Sequence, residues 1–176
     1  ILMLRPNDLT RLIRLLEVLS LRETADSILS FLGRLYPGQS EKDRMLIYYA
    51  ALQAGHRELL EHFEPLLPEK ANLTPAEMLR AALIRQDAEK FRKTVFSLTG
   101  EQLLDDVTFK HLMLGALVWQ SADWLELANV ASHEFYPKVR DTLLALLAGR
   151  PVPEALEDAA IRTYMCTLLT ELFTLR

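Results

Sequence analysis

The chain has 176 residues and a formal net charge of −4 at pH 7, and it is 50% hydrophobic and 25% charged. This length can bury a hydrophobic core, and this balance of residues argues against a disordered chain. The acidic balance, with no dense run of Lys and Arg, argues against nucleic-acid binding. Leu is abundant and few runs are β-branched, which disfavours a β-sheet.

Cysteine usage and hydropathy exclude further classes of protein and site. Cys166 is the only cysteine, which excludes an internal disulfide and a metal site made of several cysteines. It stands in an apolar helical stretch, where we expect a small buried side chain. The use of a single cysteine also fits a cytoplasmic protein, which we expect. No run of about 18 apolar residues occurs, so we expect no membrane span. The chain begins with Ile1 rather than Met, so we expect a fragment, a trimmed chain or one whose start has been left out.

Helix-start signals recur about every 33 residues along the whole chain. The first helices of successive pairs are predicted to begin near Asp8, Glu41, Pro75, Asp106 and Lys138. The second helices are predicted to begin near Leu21, His56, Ala88, Ala122 and Glu154. This period predicts an all-α chain of about ten helices in five antiparallel hairpins, forming a single helical-repeat domain over 1–176.

Local signals support these helix starts. Thr74 to Glu77 has the pattern of a capping box, with Pro75 at the first helical position. Thr99 with Gln102 is a looser version of the same pattern. The longest loops are expected at 65–72 and 149–153, where Pro and Gly interrupt the helical spacing.

Two helices should be apolar around most of their surface. The residues that crowd the surface of one are Leu112, Leu114, Ala116, Leu117 and Trp119, so we expect that helix to lie between neighbours. The last stretch, 161–175, is apolar on several faces, whereas the final helix of a free-standing solenoid should have a polar outer face. The last helix therefore folds back on the core, forms a homodimer, or is followed by further repeats of the solenoid.

The period and several positions resemble the tetratricopeptide repeat family. The residues of the first unit at the hydrophobic, small and terminal-proline positions of that family are Leu12, Leu16, Ala25, Leu29, Leu32 and Pro37. In the third unit Phe91 occupies the small-residue position. The resemblance implies a right-handed α-solenoid in which the first helices line a concave groove, where basic residues often bind acidic peptide tails.

Basic residues recur on the predicted first helices, and aromatic and amide side chains are expected near the same surface. The predicted partner-binding residues are Arg14, Arg44, Tyr48, Arg80, Lys110, Trp119 and Gln120. Arg binds carboxylates through two parallel hydrogen bonds, and Arg and aromatic residues are common hot spots of interfaces. The alternative interpretation is that these residues form solvated faces or pack in the core.

The sequence offers little that predicts catalysis or a cofactor. His56 and His62 are six residues apart and lack the spacing of a two-histidine zinc motif. The acidic pairs at helix starts, such as Asp105 with Asp106, suit the helix dipole. No glycine-rich phosphate loop occurs. We therefore predict no catalytic residue, no metal and no cofactor.

These observations predict a non-enzymatic protein–protein interaction module that binds a peptide or helix in a concave groove. Adaptor, scaffold and secretion-chaperone roles all fit this prediction. An all-helical enzyme or a small-ligand-binding regulator is the alternative, because fold does not determine function.

Overall fold

The computed structural model describes residues 23–24, 27–28, 30–31, 40–68, 72–103, 105–121, 123–124, 135–152 and 157–175. These ranges contain helices and their connections and no β-strand, which confirms the predicted all-α class. Contacts divide the chain into two compact units, 1–73 and 74–176, and the single helical-repeat domain predicted over 1–176 stays a prediction. The division follows the long loop predicted at 65–72. Each unit is described by itself.

Unit 1 contains a helical hairpin. Helix α1 spans Glu41–Ala54 and helix α2 spans Arg57–Phe63, followed by a 3-10 turn at Glu64–Leu66. Gly55 makes the tight turn between the two helices with a φ of 70°, a conformation that favours glycine. His56 then caps α2, because its Nδ1 accepts a hydrogen bond from the N–H of Leu59 (3.4 Å).

Unit 2 is built around one central helix. Its helices are α3 (Pro75–Arg85), α4 (Ala88–Ser97), α5 (Gly100–Leu103), α6 (Asp106–Trp119), α7 (Phe135–Leu147) and α8 (Ala159–Thr174). Helix α6 contacts each of the other five, and its residues 111–116 are all buried. The prediction that this helix lies between neighbours is confirmed. A helix that is apolar all round can bury its surface only in such a position.

Of the ten predicted helix starts, six fall on described residues, and four of these six coincide with the start of a helix. Helices α1, α3, α4 and α6 begin at Glu41, Pro75, Ala88 and Asp106, as predicted. Helix α7 is described over Phe135–Leu147, which includes Lys138, near which a start was predicted. Asp8, Leu21, Ala122 and Glu154 lie outside the described residues, and the helix described after Glu154, α8, begins at Ala159.

Side-chain caps explain why these helix starts can be predicted from the sequence. Thr74 and Glu77 form the predicted capping box: the Thr74 N–H donates to Glu77 Oε2 (2.8 Å), and the Glu77 N–H donates to Thr74 Oγ1 (3.3 Å). Thr99 and Gln102 form the same reciprocal pair. Asp105 caps α6 by accepting from the N–H of Thr108 (2.8 Å). Each cap satisfies backbone donors that the first turn of a helix leaves free.

The larger architecture predicted from the repeat rhythm stays a prediction. Eight α-helices are described in the ranges given above, and α1 with α2, and α3 with α4, pack as consecutive pairs. These two pairs do not test whether the chain forms a right-handed solenoid of about ten helices in five hairpins. Among the helices of the described ranges, none is long and apolar enough to cross a membrane.

Candidate functional site

Three aromatic side chains form a cluster in unit 2. Phe91 on α4 lies 4.8 Å from Trp119 at the end of α6 and 5.4 Å from Trp124, measured between ring centroids. The two tryptophan rings are 6.3 Å apart. Phe91 is fully buried, and these are the separations at which aromatic pairs attract one another. We call these three residues the aromatic cluster.

Gly115 of α6 makes room for the aromatic cluster. A Cβ atom placed on Gly115 would lie 2.7 Å from Phe91 Cε1 and closer still to Cζ, so no other residue fits without a shift of the ring. In the resemblance noted above, Phe91 occupies a position that the repeat family fills with a small residue. The small residue that faces the Phe91 ring is Gly115 on α6.

An open groove lies beside the aromatic cluster. The residues lining it are Ala88, Glu89, Arg92, Phe96, Asp123 and Trp124, and its volume is about 510 Å³. We call it the α4 groove. Phe96 is 64% exposed, and the Arg92 guanidinium carbon lies 5.5 Å from the centre of its ring. This is a cation–π distance, so the two side chains form one cationic and aromatic surface.

The charges of the α4 groove are only partly neutralised within the chain. Lys93 Nζ forms an ion pair with Glu89 Oε1 (2.7 Å), and the hydrogen bond to Glu89 raises the pKa of Lys93. Arg92 has no carboxylate partner among the described residues, and within the same ranges no side chain donates to the carboxylate of Asp123. The indole N–H of Trp124 is buried and finds no acceptor in the part of the chain that the structure describes. The groove therefore offers a cation, an anion and exposed aromatic surface to a ligand.

Two of the predicted partner-binding residues meet elsewhere, on one carboxylate of this chain. Arg80 Nη1 of α3 lies 2.7 Å from Glu171 Oε1, and Lys110 Nζ of α6 lies 2.9 Å from Glu171 Oε2. Glu171 belongs to α8, and all three side chains are at most 27% exposed. The sequence predicted that Arg80 and Lys110 bind the carboxylate of a partner, and this prediction is not tested by the pairing seen here. The carboxylate here is internal.

The electrostatics of this cluster involve His111 as well. Burial by itself would raise the pKa of Glu171, but its bonds and attraction to Lys110 and Arg80 outweigh burial and hold that pKa below its ordinary value. Burial, together with the charges of Arg80 and Lys110, lowers the pKa of His111 to about 4, and the charge of Glu171 opposes this shift. His111 is therefore neutral at pH 7. Its Nδ1 lies 2.7 Å from the carbonyl oxygen of Val107.

Replacing Glu171 with glutamine is expected to lower the free energy of unfolding by about 2 kcal/mol, between the values of exposed and buried ion pairs. The amide would leave Arg80 and Lys110 close together with both charges only partly solvated. A urea unfolding curve of the whole chain measures the change. Glu61→Gln is the matched control, because it breaks the exposed Arg57–Glu61 pair of α2 and should change stability by less than about 0.5 kcal/mol. Equal losses in the two variants would contradict this account of the cluster.

The other predicted contact residues are dispersed. Arg44 and Tyr48 lie one turn apart on α1 in unit 1, and Tyr48 is fully buried, so its side chain offers no surface to a partner. Trp119 belongs to the aromatic cluster. Gln120 is exposed and ends α6 in a left-handed conformation with a φ of 49°. Arg14 lies outside the described residues.

The sequence analysis did not single out Arg92 and Phe96. A signal was available, since the two residues are four apart on α4 and therefore share a face of that helix. Phe91 and Val95 of the same helix are buried. Phe96 directly follows Val95 in the sequence, so it lies on the next face of the helix rather than in line with these two buried residues.

No protein-family model, curated protein or solved structure matches this chain. The resemblance to tetratricopeptide repeats therefore stays a prediction from the residues, and the function must be argued from the surface of the chain itself. Among the described residues, no group of His, Cys, Asp and Glu side chains could hold a metal ion.

Proposed function

We propose that the chain is a non-enzymatic protein–protein interaction module that binds a peptide segment of a partner protein in the α4 groove. The observation that carries this proposal is the exposed pair of Phe96 and Arg92 beside the buried aromatic cluster. A large aromatic side chain that is 64% exposed costs solvation free energy in the isolated chain. Aromatic and Arg side chains that become covered in a complex contribute most of the affinity of typical interfaces.

The chemistry of the α4 groove defines the segment it would bind. In the bound segment, Arg92 would pair with a carboxylate and Phe96 would pack against an apolar side chain. Asp123 would accept a hydrogen bond from a donor of the segment. Helix α4 carries Lys90, Arg92 and Lys93 against one acidic residue, whereas the whole chain has a net charge of −4. The proposed ligand is therefore an acidic segment with an apolar anchor next to its carboxylate.

This proposal moves the binding site away from the predicted first helices. Arg80 and Lys110 were expected to bind the carboxylate of a partner, but both already bind Glu171. Helix α4 is the second helix of its pair, and its outward face retains an Arg without a carboxylate partner among the described residues. Adaptor, scaffold and secretion-chaperone roles in the cytoplasm all fit a groove of this kind.

The cluster around His111 is the feature that would favour the alternative, an all-helical enzyme or a small-ligand regulator. His111 is 3% exposed, and the two neighbouring cations share one carboxylate. Both cations are bound to a carboxylate of this chain, and the imidazole is covered by protein, so the cluster presents little surface to a ligand. The α4 groove is open and its Arg is not neutralised by a carboxylate of the described residues, which is why we place the function there.

Selection of random peptides against the whole chain tests the proposal. Peptides displayed on phage are enriched on the immobilised wild-type chain and then measured by fluorescence anisotropy against Arg92→Glu and Phe96→Ala. We expect enriched peptides to carry an acidic residue near an apolar one, and each variant to bind them at least about tenfold more weakly, a loss of about 1.4 kcal/mol.

The matched control for the charge reversal is Lys138→Glu, on the exposed surface of α7. It makes the same change in net charge without touching the α4 groove. Peptides that bind Arg92→Glu as tightly as Lys138→Glu, or a selection that enriches no acidic and apolar pattern, would overturn the proposal.

A further inference from the structure

The outward face of α8 is almost uncharged, although it is exposed. The exposed residues between 162 and 173 are Arg162, Thr163, Cys166, Thr167, Leu169, Thr170 and Phe173. Leu169 is 44% exposed and Phe173 is 69% exposed. Cys166, which the sequence predicted to be buried, is exposed, because the buried side of α8 is formed by Ile161, Met165 and Leu168. This face is independent of the α4 groove.

The threonines of this face do not require a polar partner. Thr163 Oγ1 donates to the carbonyl of Ala159 (2.8 Å), Thr167 Oγ1 to that of Thr163 (2.9 Å), and Thr170 Oγ1 to that of Cys166 (2.8 Å). Each hydroxyl is thus bonded within its own helix. Covering the face with another apolar surface therefore leaves none of these donors unsatisfied.

Four exposed residues form a stripe on this face, and their spacing along the helix is symmetric. Arg162, Cys166, Leu169 and Phe173 follow one another at steps of four, three and four residues, which is the spacing of the buried positions of a coiled coil. The spacing of these four positions, although not the residues themselves, is the same from either end about a point between Thr167 and Leu168. A surface that contacts its own copy about a two-fold axis must be self-complementary in this way.

We propose that this stripe of α8 packs antiparallel against the same stripe of a second copy of the chain. In that register Arg162 lies against the partner's Phe173, and Cys166 lies against the partner's Leu169. Each end of the contact then has an Arg over an aromatic ring, and the centre is apolar. A parallel arrangement would set the two Arg162 side chains against each other, and like charges in contact repel. The stripe therefore fits a second copy in one orientation.

The strength of this association follows from its size. A single pair of four-turn helices buries less than the roughly 1,200 Å² of a standard interface. We therefore expect a dimer that dissociates in the micromolar range rather than a permanent one.

Sedimentation equilibrium of the whole chain between 2 and about 200 μM tests the proposal, a range chosen to span the micromolar dissociation expected here. We expect the wild-type chain to dimerise, and Phe173→Arg to weaken dimerisation at least about tenfold because Arg162 then faces an Arg. The double variant Arg162→Phe with Phe173→Arg keeps the pairing with its two residues exchanged, and it should restore the dimer. Circular dichroism verifies that each variant keeps the helical content of the wild type. A monomer at about 200 μM, or a double variant as weak as Phe173→Arg, would overturn the proposal.

Cross-linking tests the antiparallel register separately. The wild-type chain, with its single cysteine, is mixed with Cys166→Ser/Leu169→Cys and oxidised gently. An antiparallel pair brings Cys166 of one chain to position 169 of the other, so mixed dimers should form faster than dimers of either chain alone. Cys166→Ser/Lys138→Cys, which carries an exposed cysteine on α7, is the matched control. Mixed dimers that form no faster than with this control would contradict the register.

Discussion

Phe91→Ala is expected to destabilise unit 2 by about 3–5 kcal/mol, the usual cost of truncating a fully buried phenylalanine. The ring fills the space between α4 and α6 and contacts both tryptophans of the chain. Urea unfolding followed by tryptophan fluorescence measures the loss, and it reports on unit 2 because Trp119 and Trp124 are the only tryptophans. A loss below about 1 kcal/mol would contradict the packing described here, because it would mean that the site collapses without cost.

The second test is Gly115→Ala, whose effect on the free energy of unfolding should change sign when Phe91 is replaced. In the wild-type chain the new methyl group meets the Phe91 ring, and overpacking of this kind costs about 1–3 kcal/mol. In the Phe91→Ala background the space is open, and replacing a glycine within a helix by alanine should stabilise by about 1 kcal/mol. Gly100→Ala is the control, because a Cβ atom there meets nothing within 4 Å. The same sign in both backgrounds would mean that Phe91 and Gly115 are not coupled.

The second large effect is a loss of stability in mild acid. The pKa of His111 is about 4 in the folded chain against an ordinary value of 6.5. The unfolded chain therefore binds a proton that the folded chain does not between these two values. His111 contributes its full stabilisation above pH 6.5, and that stabilisation is lost as the pH falls towards 4. The shift corresponds to about 3 kcal/mol in total, of which about 2 kcal/mol is lost by pH 5.

The charged groups around His111 allow this effect to be isolated. The charged side chains beside it are Arg80, Lys110 and Glu171, and the two cations hold the pKa of Glu171 below its ordinary value, so that this carboxylate remains mostly ionised at pH 5. Urea midpoints measured at pH 7.5 and pH 5 for the wild type and for His111→Leu give the comparison. We expect the variant to lose about 2 kcal/mol less between the two pH values. Equal losses in the two proteins would show that another group causes the acid sensitivity.

The parts of the fold that the sequence predicts are those set by local interactions. The helices at Pro75 and Asp106 begin where expected because Thr74 and Asp105 cap them within a single turn. The burial of α6 is predictable for a similar reason, since its apolar residues surround the whole helix. Such patterns depend on neighbours in the sequence and need no knowledge of tertiary contacts.

The contacts that the sequence does not predict join residues far apart in the chain. Arg80 and Glu171 are 91 residues apart, and only the packing of α8 on α6 brings Glu171 to the two cations. The contact between the large Phe91 and the small Gly115 likewise joins residues on two different helices. Cys166 shows the limit of periodicity in a helix that is apolar on several faces, because the pattern does not say which face is buried.

The candidate binding site shows why surfaces are harder to predict than cores. Phe96 is an aromatic residue directly after the buried Val95 on α4, yet it is exposed on the face that it shares with Arg92. Arg92 resembles any solvated cation until its position over the Phe96 ring is known. Both features become informative only when the neighbouring side chains are in place.

The measurement that tests the binding account most directly is a charge exchange across the α4 groove. The dissociation constant of an enriched peptide is measured with the wild-type chain and with Arg92→Glu, and again after the acidic residue of the peptide is replaced by arginine. The account predicts that each single reversal weakens binding at least about tenfold and that the double reversal recovers most of the loss. Losses that simply add, with no recovery in the doubly reversed pair, would contradict a carboxylate bound by Arg92.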